Sequence, residues 1–230
     1  MGYSRDDILQ KCKVAFDDIR TFYKQPFINY NGRTDDTNEY YTEVVADFLC
    51  SNISVYIKGI PQITRELSYK TAGHDGDFNA DTPREEEKIA MEMFKQSKGG
   101  LKYDHIGDII DYQTPLKNKR SDVAGKIDLI SYDGKTLYIL ELKKTDSEES
   151  MLRCVLEGFT YMQTVNKEKL LDDFNLPTDT IIKASPFVFR NKLQHVQMLE
   201  ARPYLFKIME LLCSKPYYIE KQNDIYYVGV

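Results

Sequence analysis

Gly125-Lys-Ile-Asp-Leu-Ile-Ser-Tyr-Asp-Gly-Lys-Thr-Leu-Tyr-Ile-Leu-Glu-Leu-Lys-Lys144 is the stretch whose reading decides the fold. Two apolar runs, Ile127–Tyr132 and Thr136–Leu142, flank Asp133-Gly134. Asp-Gly between alternating β-formers predicts a hairpin. With Asp133-Gly134 as the two turn residues, Tyr132 pairs with Lys135, Asp128 with Ile139 and Lys126 with Glu141. Side chains alternate between the faces of a strand. One face then carries Ile127, Leu129, Tyr138, Leu140 and Leu142 and is read as core. The other carries Lys126, Asp128, Glu141 and Lys143, with Asp128 and Glu141 as diagonal neighbours about 7–8 Å apart or less. Two carboxylates so placed can share a hard divalent cation.

A solvated face with a Lys126–Glu141 cross-strand ion pair is the plain alternative. The charges, however, cluster at the end away from the turn, while Ile130, Leu137 and Ile139 continue the same face as apolar residues. A face in contact with water would be polar along its whole length.

Composition bounds the rest. The chain has 230 residues, 42% of them hydrophobic and 29% charged, which suits a folded, water-soluble domain. No apolar run approaches the ~20 residues of a membrane span, and the N-terminus lacks the basic-then-apolar build of a signal peptide, so a cytoplasmic protein is expected. Cys12, Cys50, Cys154 and Cys213 are widely spaced, without a Cys-x-x-Cys pair, and read as reduced thiols rather than a zinc site. His74, His105 and His195 are isolated from one another in sequence and read as structural or exposed. The net charge of −5 argues against a protein that coats DNA. Around the hairpin the balance reverses: Lys117, Lys119, Arg120, Lys126, Lys135, Lys143 and Lys144 face Asp122, Asp128, Asp133 and Glu141. A basic rim is expected there.

Working outward, helices are predicted over residues 4–24, capped by Ser4, and 36–49. Strand character follows over 54–60. Residues 71–82 form the most loop-like stretch, so a boundary is placed there: an N-terminal, mostly helical extension (1–82) and a main domain (83–230). Thr82, Pro83 and Glu85 form an N-cap, first-position proline and capping box for a helix to about Lys95. Glu86 shares the face of Ile89 and Ala90, where a carboxylate is costly unless paired or bound to a cation. An acidic first turn that merely suits the helix dipole is the alternative. A strand over 107–116, the hairpin, a helix from Ser147 to about Val165 and a buried strand over 180–190 follow. Pro186 suggests a bulge or strand end within that last strand. A long helix over 193–213, kinked or split at Pro203, and a closing hairpin over 217–230 around Gln222-Asn223 complete the chain. The fold class is α/β with a mixed sheet.

Asp128 on one strand and Glu141-Leu142-Lys143 on its hairpin partner resemble the signature of the PD-(D/E)XK nuclease superfamily. The leading proline of that signature is not matched, since Ile127 precedes Asp128. The order helix, strand, strand, strand, helix, strand over residues 83–190 resembles the restriction-endonuclease-like core. The resemblance implies a metal-dependent nuclease, acting on nucleic acid and most often DNA, with Mg²⁺ as cofactor and Mn²⁺ as its substitute. It implies Asp128, Glu141 and the Leu142 carbonyl as metal ligands, with Glu86 joining from the preceding helix and Glu87 next in line. Lys143 is implied as the residue that orients water or stabilises charge. Lys126, Lys144 and Gln163 are substrate-contact candidates, as are Lys183, Arg190 and Lys192. A homodimer is compatible with such enzymes, and nothing in the sequence marks its surface. A nuclease-fold module that binds nucleic acid or a protein without catalysis is the alternative function.

Overall fold

The computed structural model describes residues 2–71, 74, 82, 84–118 and 125–230. Most of the predicted boundary loop, Pro83 as first helical residue, and Lys119, Arg120 and Asp122 of the basic rim lie outside the described residues.

A mixed sheet of six strands organises the chain. The strands are β1 (Asp108–Pro115), β2 (Lys126–Tyr132), β3 (Thr136–Leu142), β4 (Ile181–Phe189), β5 (Tyr217–Gln222) and β6 (Ile225–Gly229), in that spatial order. β1, β2 and β3 run antiparallel, β3, β4 and β5 parallel, and β5 and β6 antiparallel. Parallel neighbours need long crossovers. Helices α5 (Met151–Thr164) and α6 (Lys167–Asp173) join β3 to β4, and α7 (Leu193–Leu199) and α8 (Pro203–Leu211) join β4 to β5. Helix α4 (Glu85–Lys98) precedes the sheet. Before it come α1 (Arg5–Ala15), two 3₁₀ segments (Phe16–Lys24, Pro26–Asn29), α2 (Tyr41–Ser51) and α3 (Ile53–Gly59).

Strand alternation gives the sheet two apolar faces, each covered. Leu129, Leu140, Leu142 and Phe187 pack under Ile89, Met93 and Phe94 of α4. Ile130, Leu137 and Ile139 pack under α5, through Val155, Leu156 and Phe159, in one cluster with Ile8, Phe22, Val44 and Tyr56 from the N-terminal helices. Ile127 was expected on the first face and joins the second cluster. The β2–β3 ladder ends at Leu129–Leu140, and strict alternation is not held beyond it.

The hairpin turn sits one residue later than expected. The Asp133 N–H donates to the Thr136 carbonyl at 3.2 Å, so Gly134 and Lys135 are the central residues. Gly134 takes φ 98°, which suits glycine at the first central position. Asp133 Oδ1 accepts the backbone N–H of Lys135 (2.8 Å) and Thr136 (2.7 Å), which fixes the turn. Tyr132 therefore pairs with Leu137, not Lys135, and every later pair moves by two. A two-residue shift preserves which face each side chain takes. Asp128 and Glu141 lie just beyond the last pair of this ladder, Leu129–Leu140.

Other expectations shift for local reasons. Residues 53–59 are helical, not extended, because Ile53, Tyr56, Ile57 and Ile60 follow a helical spacing and bury Tyr56 against Phe16, Phe22 and Phe159. The first helix ends at Ala15 in 3₁₀ turns interrupted at Asp18 (φ −130°, ψ 78°). α4 starts at Glu85 after Arg84 and has no side-chain cap, so the expected capping box is not formed. Instead Thr82 Oγ1 accepts the Arg84 N–H and reaches Glu87, both at 3.4 Å. α5 is capped by Ser150 rather than Ser147: Ser150 Oγ accepts the Arg153 N–H at 3.1 Å. Pro186 lies within β4, level with Glu141, and does not end the strand. The last turn centres on Asn223 and Asp224, both at positive φ.

Candidate active site

The charged residues of the hairpin lie where β2 and β3 pass beneath the start of α5. At Gly158 a Cβ would stand 3.4 Å from Glu141 Cβ, so the helix rests directly on that residue. Lys143 Nζ is 2.7 Å from Glu141 Oε1, 2.7 Å from Glu149 Oε2 and 3.3 Å from Glu157 Oε2. Its side chain is only 7% exposed. Arg153 adds a second cation, 3.0 Å from Glu149 and 3.6 Å from Glu157. Tyr161 Oη donates to Glu157 Oε1 at 2.8 Å.

Asp128 stands at the mouth of this group. Its Oδ2 accepts the Leu142 backbone N–H, and its Oδ1 accepts from the Gln113 amide, both at 3.0 Å. A cleft of about 610 Å³ opens over it, lined by Glu86, Gln113, Lys117, Lys126 and Lys144 among others. Glu86 is half-buried on α4, and its Oε1 accepts the Lys144 backbone N–H at 3.2 Å.

Burial dominates the electrostatics. It pushes Asp128 up to about 7; Lys143 pulls the other way, and Glu86 and Glu157 add to the rise. Glu141 is pushed well above the carboxylate range by burial and by Glu157, against the pull of Lys143. Glu157 stays below its ordinary value: burial raises it, but Lys143, Arg153 and the Tyr161 hydroxyl outweigh that. Burial pulls Lys143 down, yet Glu141 and Glu157 carry it well above the usual lysine value. The ammonium is therefore kept charged. Four carboxylates, Asp128, Glu141, Glu149 and Glu157, face two cations, Lys143 and Arg153. With all four acids ionised the group is short of positive charge by two; protonation of Glu141 would relieve one unit of that and a divalent cation both.

The structure thus gathers Asp128, Glu141, Lys143 and Glu86 about one end of the sheet, with Lys126 and Lys144 on the cleft wall. Leu142 is buried and meets Asp128 through its backbone N–H. Gln163 is half-buried and is not among the cleft residues. Arg190 pairs with Glu220 at 2.6 Å and lies over Tyr218, while Lys183 is exposed. Among the described residues no group of three or more His, Cys, Asp or Glu side chains forms a ready-made metal cage. The hard oxygen donors of Asp128 and Glu141 nevertheless fit Mg²⁺, which takes few protein ligands and keeps its waters.

Arg153, Glu157 and Gln113 were not singled out from the sequence; Glu149 was read only as an acid of the first helical turn, and Tyr161 only as a possible substrate contact beside Gln163. The signal was there on the helix: Glu149, Arg153, Glu157 and Tyr161 recur every fourth residue and so share one face.

Comparison with known protein families, with curated proteins and with solved structures found no match.

Proposed function

We propose that this chain is a metal-dependent nuclease that hydrolyses phosphodiester bonds of nucleic acid, DNA first among them. One observation carries the reading: buried carboxylates gathered around a charged lysine, reaching through Asp128 a cleft whose wall carries Arg84, Lys117, Lys126 and Lys144 along with Glu85, Glu86 and Glu87. The resemblance of Asp128, Glu141 and Lys143 to the PD-(D/E)XK signature, and of the order α4, β1, β2, β3, α5, β4 to the restriction-endonuclease-like core, supports it.

Asp128 and Glu141, with the Leu142 carbonyl and Glu86 beside them, would hold Mg²⁺ or Mn²⁺. When bound, the ion would supply an activated water and charge stabilisation. Lys143 acts as a fixed positive charge. Held protonated by its carboxylates, it stabilises the developing charge on phosphorus oxygens and does not accept a proton. Glu149 and Glu157 hold the ammonium in place, and Arg153 and Tyr161 hold Glu157. Lys126, Lys144 and Lys117 offer phosphate contacts along the cleft.

A non-catalytic nucleic-acid-binding or protein-binding module is the second reading, favoured by the complete inward engagement of the Lys143 ammonium. Cleavage of supercoiled plasmid and single-stranded DNA with Mg²⁺ or Mn²⁺ separates the two. The nuclease reading expects wild type to cut and Asp128→Asn to lose at least ~10²-fold of that rate. Equal cutting by both, or none by either, would sink it.

A further inference from the structure

Two observations meet at Gln113 on β1. Its side-chain amide donates to Asp128 Oδ1 at 3.0 Å. Its backbone stands at φ 49°. Asparagine, aspartate and histidine enter that left-handed region with some ease, and glutamine shares no such preference. Among the described residues, the other non-glycine residues at positive φ all lie in turns or connections, whereas Gln113 is inside a strand. The ladder is continuous there. Tyr112 pairs with Leu129 and Thr114 with Ile127, so one residue is enclosed on each strand, Gln113 on β1 and Asp128 on β2. The register shift of β1 lies earlier, between Ile109 and Asp111. The turned-over backbone at Gln113 is therefore no inserted bulge, and strain of this kind persists only where neighbours impose it.

Asp111 imposes it. This carboxylate is 1% exposed. Its Oδ1 accepts the Tyr112 N–H at 2.9 Å and its Oδ2 accepts the Thr114 hydroxyl at 3.0 Å. One side chain thus grips the residues on both sides of Gln113. His74 Nδ1, from a distant part of the chain, is 2.7 Å from Asp111 Oδ1 and steadies the grip.

The consequence falls on Asp128. The Leu142 N–H holds Oδ2 and the Gln113 amide holds Oδ1, which fixes the plane of the carboxylate and leaves lone pairs on both oxygens. Asp128 and Gln113 both line the main cleft, so water would satisfy Oδ1 without any backbone strain. A glutamine held at positive φ supplies something water does not, a donor with a fixed direction.

We propose that Gln113 is the positioning residue of the cation site, aiming the Asp128 carboxylate from a strained backbone that Asp111 maintains. The proposal rests on the reading of Asp128 as a ligand of a divalent cation. Donors to a ligating carboxylate orient it and strengthen the site. Without the amide, Asp128 keeps its Leu142 anchor but turns about it, and the ion meets an oxygen spread over several directions.

The test titrates Mn²⁺ alone into the full chain and follows the free-ion signal by electron paramagnetic resonance, for wild type, Asp128→Asn, Gln113→Met and Gln113→Gly. Asp128→Asn identifies which bound Mn²⁺ belongs to this site. Gln113→Met keeps the length of the side chain without its donor, and Gln113→Gly removes donor and strain together. Both are expected to bind the Asp128-dependent Mn²⁺ about 10–100-fold more weakly than wild type. A merely structural role would lower the melting temperature and leave the affinity of the folded protein unchanged. Should Gln113→Met fail to fold, Gln113→Gly decides, because glycine takes a φ of 49° without strain. A loss of less than about tenfold in either folded variant would overturn this proposal alone. Absence of an Asp128-dependent Mn²⁺ site in wild type would overturn the cation reading and this proposal together.

Discussion

Asp128 is an acid whose proton the folded chain holds more tightly than the unfolded one. Its ordinary value is 3.8 and its value here about 7, chiefly through burial. A raised carboxylate contributes its full stability below about pH 4 and loses it as pH rises through about 7. Above that pH the ionised group opposes folding. Asp128→Asn is neutral throughout, so it should match wild type near pH 4 and exceed it at pH 8. Since the side chain remains partly open to the cleft, the gain is set at about 1–2 kcal/mol, or roughly 2–8 °C. Thermal unfolding from pH 4 to 9 measures it; a difference that does not grow with pH would contradict the assignment. Lys143 is the opposite case, because removing it leaves three carboxylates around an empty centre. At this scale the sequence was legible for Asp128, Glu141 and Lys143, since charges on otherwise apolar strands stand out. Glu149 and Glu157 were not, because acids on a helix read as solvent-facing until a second surface covers them. Here α5 is buried on nearly every side.

The elements were legible wherever period and length agreed. The β2–β3 hairpin, α5 and the parallel strand β4 all follow from alternation or helical spacing. Their junctions were less so. The turn slid by one residue because Asp133 uses its side chain to bind the two N–H groups that follow, a competition that dipeptide preference does not weigh. α3 was read as a strand because Val55, Tyr56 and Ile57 favour strands, while the aromatic packing of Tyr56 decided for helix. One junction depends on a single glycine. Gly107, just before β1, has φ 73°, and a Cβ there would collide with the Tyr132 carbonyl oxygen and sit 2.5 Å from Asp133 Cα. Gly107→Ala should therefore cost about 2 kcal/mol or more, from left-handed strain and displaced backbone together. Urea unfolding tests this, and a cost under 0.5 kcal/mol, within the ordinary range of surface substitutions, would refute it.

At the scale of the molecule, the N-terminal helices are tied directly to α8. Glu43 on α2 accepts the backbone N–H groups of Tyr204 (2.9 Å) and Leu205 (2.8 Å), so an N-terminal helix caps α8. Arg202 lies over the Tyr40 ring at 3.8 Å, with Arg33 at the same distance from that ring, and donates to Thr42 at 2.6 Å. Glu43→Ala frees two N–H groups and should cost about 1–3 kcal/mol. Because Ile8, Phe22 and Val44 share one core with Ile130, Ile139 and α5, unfolding should remain a single transition. Near- and far-ultraviolet melts that separate would contradict that.

By itself the sequence determined a mixed α/β chain, its hairpin, and a set of charges at the end of two strands away from the turn, because side-chain period and turn chemistry act over a few residues. Only the tertiary structure decided the register, the second ring of carboxylates from α5, and the pairing of His74 with Asp111. Those depend on contacts between residues far apart in sequence, and their strength comes from burial, which no local pattern records.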